Sequence, residues 1–199
     1  MFKPETREYR SFTSFQAIEN KSDNPAYHVH GRAVVFEQPT CLLTFEGIKY
    51  YEVIDRNAFA FCDMSDVIMN YNHGGKPVAR LRNKTLALNI THDGVDVDAY
   101  LAGTHEGRNL YEEINGGYID KMSWAFIVDE NGGDTYDPET HTRRILRVKK
   151  LYDVAAVDFP AYEQTSLSAR RSYMEEHIKD FARLESEQRR KKLIIMSLC

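Results

Sequence analysis

Apolar and polar positions along this chain fall mostly into short runs of period two, bounded by Gly, Asn and Asp. That punctuation predicts strands rather than long helices. Residues 27–36 alternate and end in the apolar Ala33-Val34-Val35-Phe36, and residues 67–71 form a buried-strand candidate that leads straight into Asn72-His73. Residues 85–90 and 95–100 are separated by His92-Asp93-Gly94, and a D-G turn between alternating runs is a hairpin signal. The stretch Lys121–Val128 is almost wholly apolar but carries Ser123, and Asn131-Gly132-Gly133 closes it. Residues 143–157 hold one or two further strands, stopped by Pro160, since proline cannot donate to a ladder.

Helical spacing is rarer. Within residues 104–114, Leu110, Tyr111 and Ile114 share one face. Thr104 is placed to cap the start, and Asn115-Gly116-Gly117 to end it. A short helix is expected to open at Asp55, an N-cap type residue, and run to Ala60. In residues 171–192, Met174, Ile178 and Phe181 recur at helical spacing among charges of both signs, with Arg189-Arg190-Lys191-Lys192 near the C-terminal end. Cations suit the helix dipole there. The count is about seven strands and three helices, with no internal repeat. The chain divides into a polar segment 1–26, a main domain 27–170 and a helical tail 171–199. That tail reads either as a solvated surface helix or as a packing or targeting segment, and in the second case its apolar Leu193-Ile194-Ile195-Met196 is a buried or partner-facing anchor.

Composition narrows the function classes. With 199 residues, 42% of them hydrophobic, one full core is the default. The formal net charge of −4 and the interspersed basic residues give no patch for nucleic acid. Cys41, Cys62 and Cys199 are an odd number at unrelated spacings, which suggests neither a disulfide framework nor a zinc site. The first apolar run is broken by Lys3, Glu5 and Arg7, so no signal peptide is expected. No run of about 18 apolar residues is available to span a membrane.

Against that background a spaced trio stands out: His73, Ser123 and an aspartate after Tyr152. A serine hydroxyl is nearly inert at neutral pH until an imidazole takes its proton. A carboxylate behind the imidazole fixes its tautomer and stabilises the imidazolium. His73 follows a strand and precedes Gly74-Gly75, where backbone can approach closely; the other six histidines lack that context. Ser123 lies in an apolar strand, where a buried hydroxyl needs a partner, whereas Ser65 and Ser166 sit in polar, loop-like surroundings. Asp153 and Asp158 both compete for the third place, and five residues apart on a regular strand they face opposite sides. Trp124, next to Ser123, reads as a core anchor pointing away from it. His28-x-His30 lacks a third ligand at sensible spacing, so no metal is expected. The order His, Ser, Asp and the lack of a G-x-S-x-G elbow argue against an α/β-hydrolase.

Five stretches carry a closer resemblance: Gly31-Arg32-Ala33-Val34-Val35-Phe36; Tyr51 to Phe59; Val67 to His73 with Pro77-Val78-Ala79-Arg80; Gly107 to Tyr111 running through Ile119 to Phe126; and Asp153 to Tyr162. Together, over roughly residues 28–170, the chain resembles the HK97-type prohead (capsid maturation) serine proteases of tailed phages. That resemblance implies a mostly antiparallel β-barrel with several surrounding helices, like the herpesvirus assembly proteases. It implies a serine endopeptidase with Ser123 as nucleophile, His73 as base and Asp153, where the herpesvirus enzymes carry a second histidine, as the third member. Backbone N–H groups of Ala161 and Tyr162, or the paired Arg143 and Arg144, are the candidate oxyanion donors. The implied partners are the major capsid protein with its scaffolding segment, the protease itself by autoprocessing, and further copies in a homo-oligomer. The implied place is the immature prohead in the host cytoplasm. A hydroxyl–imidazole site needs no cofactor. The competing readings are a catalytically inactive scaffold of the same fold and a hydrolase of other esters or amides.

Overall fold

Residues 7–13, 15–18, 27–45 and 47–158 are described by the computed structural model. Among them the chain forms thirteen strands and one helix. In chain order these are β1 (Glu8–Thr13), β2 (Phe15–Ala17), β3 (His28–Val35), β4 (Thr40–Phe45), β5 (Ile48–Ile54), β6 (Ile68–Tyr71), β7 (Gly74–Arg80), β8 (Leu86–Ile90), β9 (Gly94–Tyr100), α1 (His105–Asn115), β10 (Lys121–Val128), β11 (Asp134–Asp137), β12 (Thr142–Ile145) and β13 (Val148–Val157). They build three sheets, ordered β1-β10-β13-β6-β7, β11-β12-β5-β4 and β2-β3-β9-β8.

The mostly-β class agrees with the alternating pattern; the barrel and the several helices do not appear among the described residues. Barrel closure needs the first and last strands of one sheet to share a ladder. Here each sheet keeps two edges, and the chain instead turns a corner between sheets. Strand β5 pairs in parallel with β12, and β6 pairs in parallel with β13. Two consecutive strand pairs thus pass side by side from one sheet into the other. An isolated parallel bridge between Asp63 and Lys150 joins them at the bend. The helix expected from Asp55 is a series of turns, with Ala58 N–H donating to Asp55 O, Ala60 N–H to Asn57 O and Cys62 N–H to Phe59 O. Asp55 N–H is held by Ile145 O, and its carboxylate by the Arg144 guanidinium, so the segment extends the β5–β12 ladder.

The core lies where β3 packs across β1 and β10. Val29 and Val34 of β3, Val95 and Val97 of β9, and Met122, Trp124 and Phe126 of β10 are all wholly buried. Trp124 stacks on Phe126 at 3.8 Å between centroids and packs against Phe59. It occupies the face of β10 opposite Ser123, the core position its sequence context predicts. Bulges at Ala33 in β3 and Leu42 in β4 each add one residue to a ladder. The hairpin at residues 91–93 and α1 fall where the pattern puts them. Thr104 Oγ accepts from Gly107 N–H at 3.2 Å, and Gly117 adopts a left-handed φ of 73° just beyond the helix.

One segment departs from the reading by pattern. The N-terminal polar stretch contributes β1 and β2 instead of staying irregular. The tail at 171–199 lies outside the described residues.

Candidate active site

Strand β10 has a ladder on each side, β1 and β13, both antiparallel. A strand covered on both faces reads as a continuous apolar run, which is why Lys121–Val128 shows no alternation. The registers put Ser11 opposite Ser123, Ser123 opposite Ala155, and Ala155 opposite Asn70, forming one row across β1, β10, β13 and β6. The next row on the same face is Tyr9, Ala125, Asp153 and Ile68. Ser123 and Asp153 are therefore diagonal neighbours, with Ala125 and Ala155 on the other diagonal. Two methyl side chains leave room for a ring to lie between hydroxyl and carboxylate.

The His73 imidazole fills that place. Its Nδ1 lies 2.5 Å from Asp153 Oδ1, and its Nε2 lies 2.6 Å from Ser123 Oγ. All three side chains are shielded: Ser123 is 0% exposed, Asp153 7% and His73 12%. The Tyr9 ring meets the imidazole edge-on, with centroids 4.6 Å apart and planes at 66°.

His73 is delivered by a two-residue hairpin. Tyr71 pairs with Gly74, and the residues between them, Asn72 and His73, have φ of 49° and 57°. Two successive positive φ values are the signature of a type I′ turn, whose second position usually belongs to glycine. Asn72 tolerates this conformation well and histidine less so, so backbone strain sits at the residue carrying the imidazole. Asn72 N–H is tied to Ala156 O at 3.0 Å, which fixes the turn to the strand that bears Asp153.

Asp158 is accounted for separately. It accepts from the Tyr71 hydroxyl at 3.0 Å, away from the imidazole. Burial first, and the Asp158 carboxylate second, push the Tyr71 phenol above its ordinary pKa.

The arginine pair is occupied. Arg143 donates to both Glu8 carboxylate oxygens at 2.6 and 2.9 Å, to Asp134 at 2.7 Å and to Glu52 at 3.3 Å. Arg10 completes this buried group with bonds to Glu52 and Glu8. Glu8 and Arg10 alternate along β1 with Tyr9 and Ser11, so Arg143 serves the face of the sheet opposite Ser123. Arg144 is bound to Glu37 and Asp55, at the corner between sheets. Carboxylates hold both guanidiniums, so neither is placed to serve as an oxyanion donor. Ala161 and Tyr162 lie outside the described residues.

Buried charge of this kind is stable only when fully paired. Desolvation alone would raise the Glu8 pKa, but the charges of Arg143 and Arg10 bring it down to about 2. Desolvation likewise opposes the charge on Arg10, and Glu52 and Glu8 hold that guanidinium well above its ordinary range.

Two features escaped sequence reading. Tyr9 sits in a stretch too polar to read as a strand. Asn70 is 4% exposed on the Ser123 row, with its Oδ1 buried and unpartnered; only the registers reveal its place. His28 and His30 share the Asp98 carboxylate at 3.3 and 3.1 Å, and no group of metal-ligating side chains occurs among the described residues. No helix among them is long and apolar enough to cross a membrane.

Comparison with protein-family models matches residues 14–180 to the caudovirus prohead serine proteases. No curated protein and no solved structure gave a match. With 167 of 199 residues spanned by the family model (14 to 180 inclusive), the chain belongs to the caudovirus prohead serine protease family, hydrolases that act in phage capsid maturation.

Proposed function

We propose that this chain is a serine endopeptidase of the Ser-His-Asp type that trims the scaffolding segment of the major capsid protein, and itself, inside the immature phage head. The observation that carries the reading is the single imidazole bridging Ser123 Oγ and Asp153 Oδ1 at 2.6 and 2.5 Å. With the ring proton on Nδ1 donated to Asp153, Nε2 is left as acceptor for the Ser123 proton. Oγ attacks the scissile carbonyl carbon while its proton passes to Nε2. The imidazolium, stabilised by Asp153, then returns that proton to the leaving amine, giving an acyl-enzyme on Ser123. Water attacks the ester by the same route, losing a proton to Nε2 and regenerating the hydroxyl.

The oxyanion is assigned to backbone N–H groups at Ala161 and Tyr162, just beyond β13. Losing one such donor costs about 2.7–4 kcal/mol of transition-state stabilisation. Ser123 is fully covered, so a polypeptide reaches it only when the covering groups move. The substrates, the autoprocessing and a homo-oligomeric state follow the family role and belong to this reading alone.

Intact mass measured over time tests it, with the wild type and Ser123→Ala each co-expressed with the cognate major capsid protein. The expected outcome is discrete truncation of capsid protein and protease in the wild type and none in the variant. Equal cleavage in both removes Ser123 from the mechanism. Assembled shells without cleavage in either would favour an assembly scaffold.

A further inference from the structure

Two hydrogen bonds hold the His73 ring, one at each nitrogen. Neither bond is a packing contact, and a small swing of the ring about χ1 or χ2 turns the Nε2 lone pair away from the Ser123 hydroxyl. Tyr9 supplies a packing contact that opposes such a swing, edge-on with 4.6 Å between centroids. We propose that Tyr9 is a positioning residue for His73, and that β1 is the part of the molecule that keeps the imidazole in line with Ser123. The proposal rests on the serine protease reading above.

Three further observations support it. The ladder sets Ser11 opposite Ser123 and Tyr9 opposite Ala125, so Tyr9 rises from the strand bordering the serine strand, one row from the hydroxyl. The residues on either side of Tyr9 are anchored on the opposite face: Glu8 by Arg143, and Arg10 by Glu52. Buried paired charges thus hold the backbone that carries the aromatic ring. Finally, the family match begins at residue 14, so Tyr9 lies before the matched span, and the family assignment gives it no role.

The test uses the full chain with Tyr9→Phe and Tyr9→Leu. Three readouts apply: thermal unfolding, the pH profile of the Ser123 labelling rate with a fluorophosphonate, and the low-field proton NMR signal of His73 Nδ1–H. Tyr9→Phe, which keeps the ring, is expected to match the wild type in labelling and in the NMR signal. Tyr9→Leu, which keeps apolar bulk without a ring, is expected to label about two- to tenfold more slowly, the range of an aromatic pair's coupling. Its Nδ1 proton signal is expected to broaden or vanish while the chain stays folded. A Tyr9→Leu variant with wild-type labelling and signal overturns the proposal. So does a Tyr9→Phe variant as impaired as Tyr9→Leu, because the hydroxyl would then be the active part. If the folded wild type fails to label at all, the serine reading falls; the NMR signal still decides Tyr9, since it needs no nucleophile.

Discussion

On the proposed mechanism, the hydrogen bond of His73 to Asp153 decides whether its bond to Ser123 is useful. An amide at position 153 would donate its NH₂ to Nδ1 and push the ring proton onto Nε2, where it blocks acceptance from Ser123. Asp153→Asn is therefore expected to cut kcat by about 10³- to 10⁴-fold with the fold intact. Turnover of capsid polypeptide alongside thermal unfolding checks this, and a loss under tenfold would assign Asp153 a structural role only. Of the trio, His73 and Ser123 are legible as an imidazole after a strand and a hydroxyl in an apolar run, while Asp153 is separated from Asp158 only by the resemblance. Their convergence was not legible, since it depends on the diagonal between Ser123 and Asp153 and on two alanines that look like filler. Arg143 and Arg144 illustrate the reverse. The resemblance alone offered them as oxyanion donors, and nothing local indicates that Glu8, Glu52 and Asp134 (from β1, β5 and β11) already occupy Arg143.

Elements whose signals are local were read well: the hairpin over residues 91–93, the helix after Thr104, and the serine strand. Strand β1 was missed because its inward side chain is Arg10, 2% exposed. A strand that buries an arginine shows no apolar alternation; the carboxylates that make the burial possible arrive from elsewhere in the chain. Helix α1 shows how context can reverse a propensity. Gly→Ala inside a helix usually stabilises by about 1 kcal/mol. At Gly107, however, an added Cβ would meet Ala102 O at 1.9 Å and Ala102 C at 2.9 Å, backbone atoms that cannot rotate away. Gly107→Ala is expected to destabilise by about 1–3 kcal/mol, seen as a lower urea midpoint. A midpoint at or above wild type would mean that α1 shifts freely. Because α1 packs against β2 and β7, and β7 is the return arm of the His73 turn, activity is expected to fall along with stability.

For the whole molecule, the class was readable from period-two patterning, but the closure was not, because sheet edges and corners are settled by pairings far apart in the chain. The buried ion group ties the five-stranded sheet to the β11-β12-β5-β4 sheet and gives stability an acid limit. Glu8 ionises at about 2 in the folded chain against 4.5 for the free side chain. A lowered carboxylate pKa stabilises fully above the unfolded value, and that contribution is lost as pH falls from about 4.5 to about 2. The shift corresponds to about 3 kcal/mol. Urea unfolding at pH 7, 4 and 3 should show a steeper acid loss for the wild type than for Glu8→Gln; parallel losses would exclude Glu8 as the source. The order of the strands in the five-stranded sheet has one more outcome, in time rather than space. Its middle strand, β13, comes last among the described strands in the chain, and it carries Asp153 and the anchor for the His73 turn. Local hairpins form early, while long-range pairings wait for their loops to close. A growing chain would thus hold Ser123 and His73 for at least thirty residues of synthesis (Ser123 to Asp153) before the orienting carboxylate exists. Under the proposed reading, the site is therefore completed only by the last of the described strands.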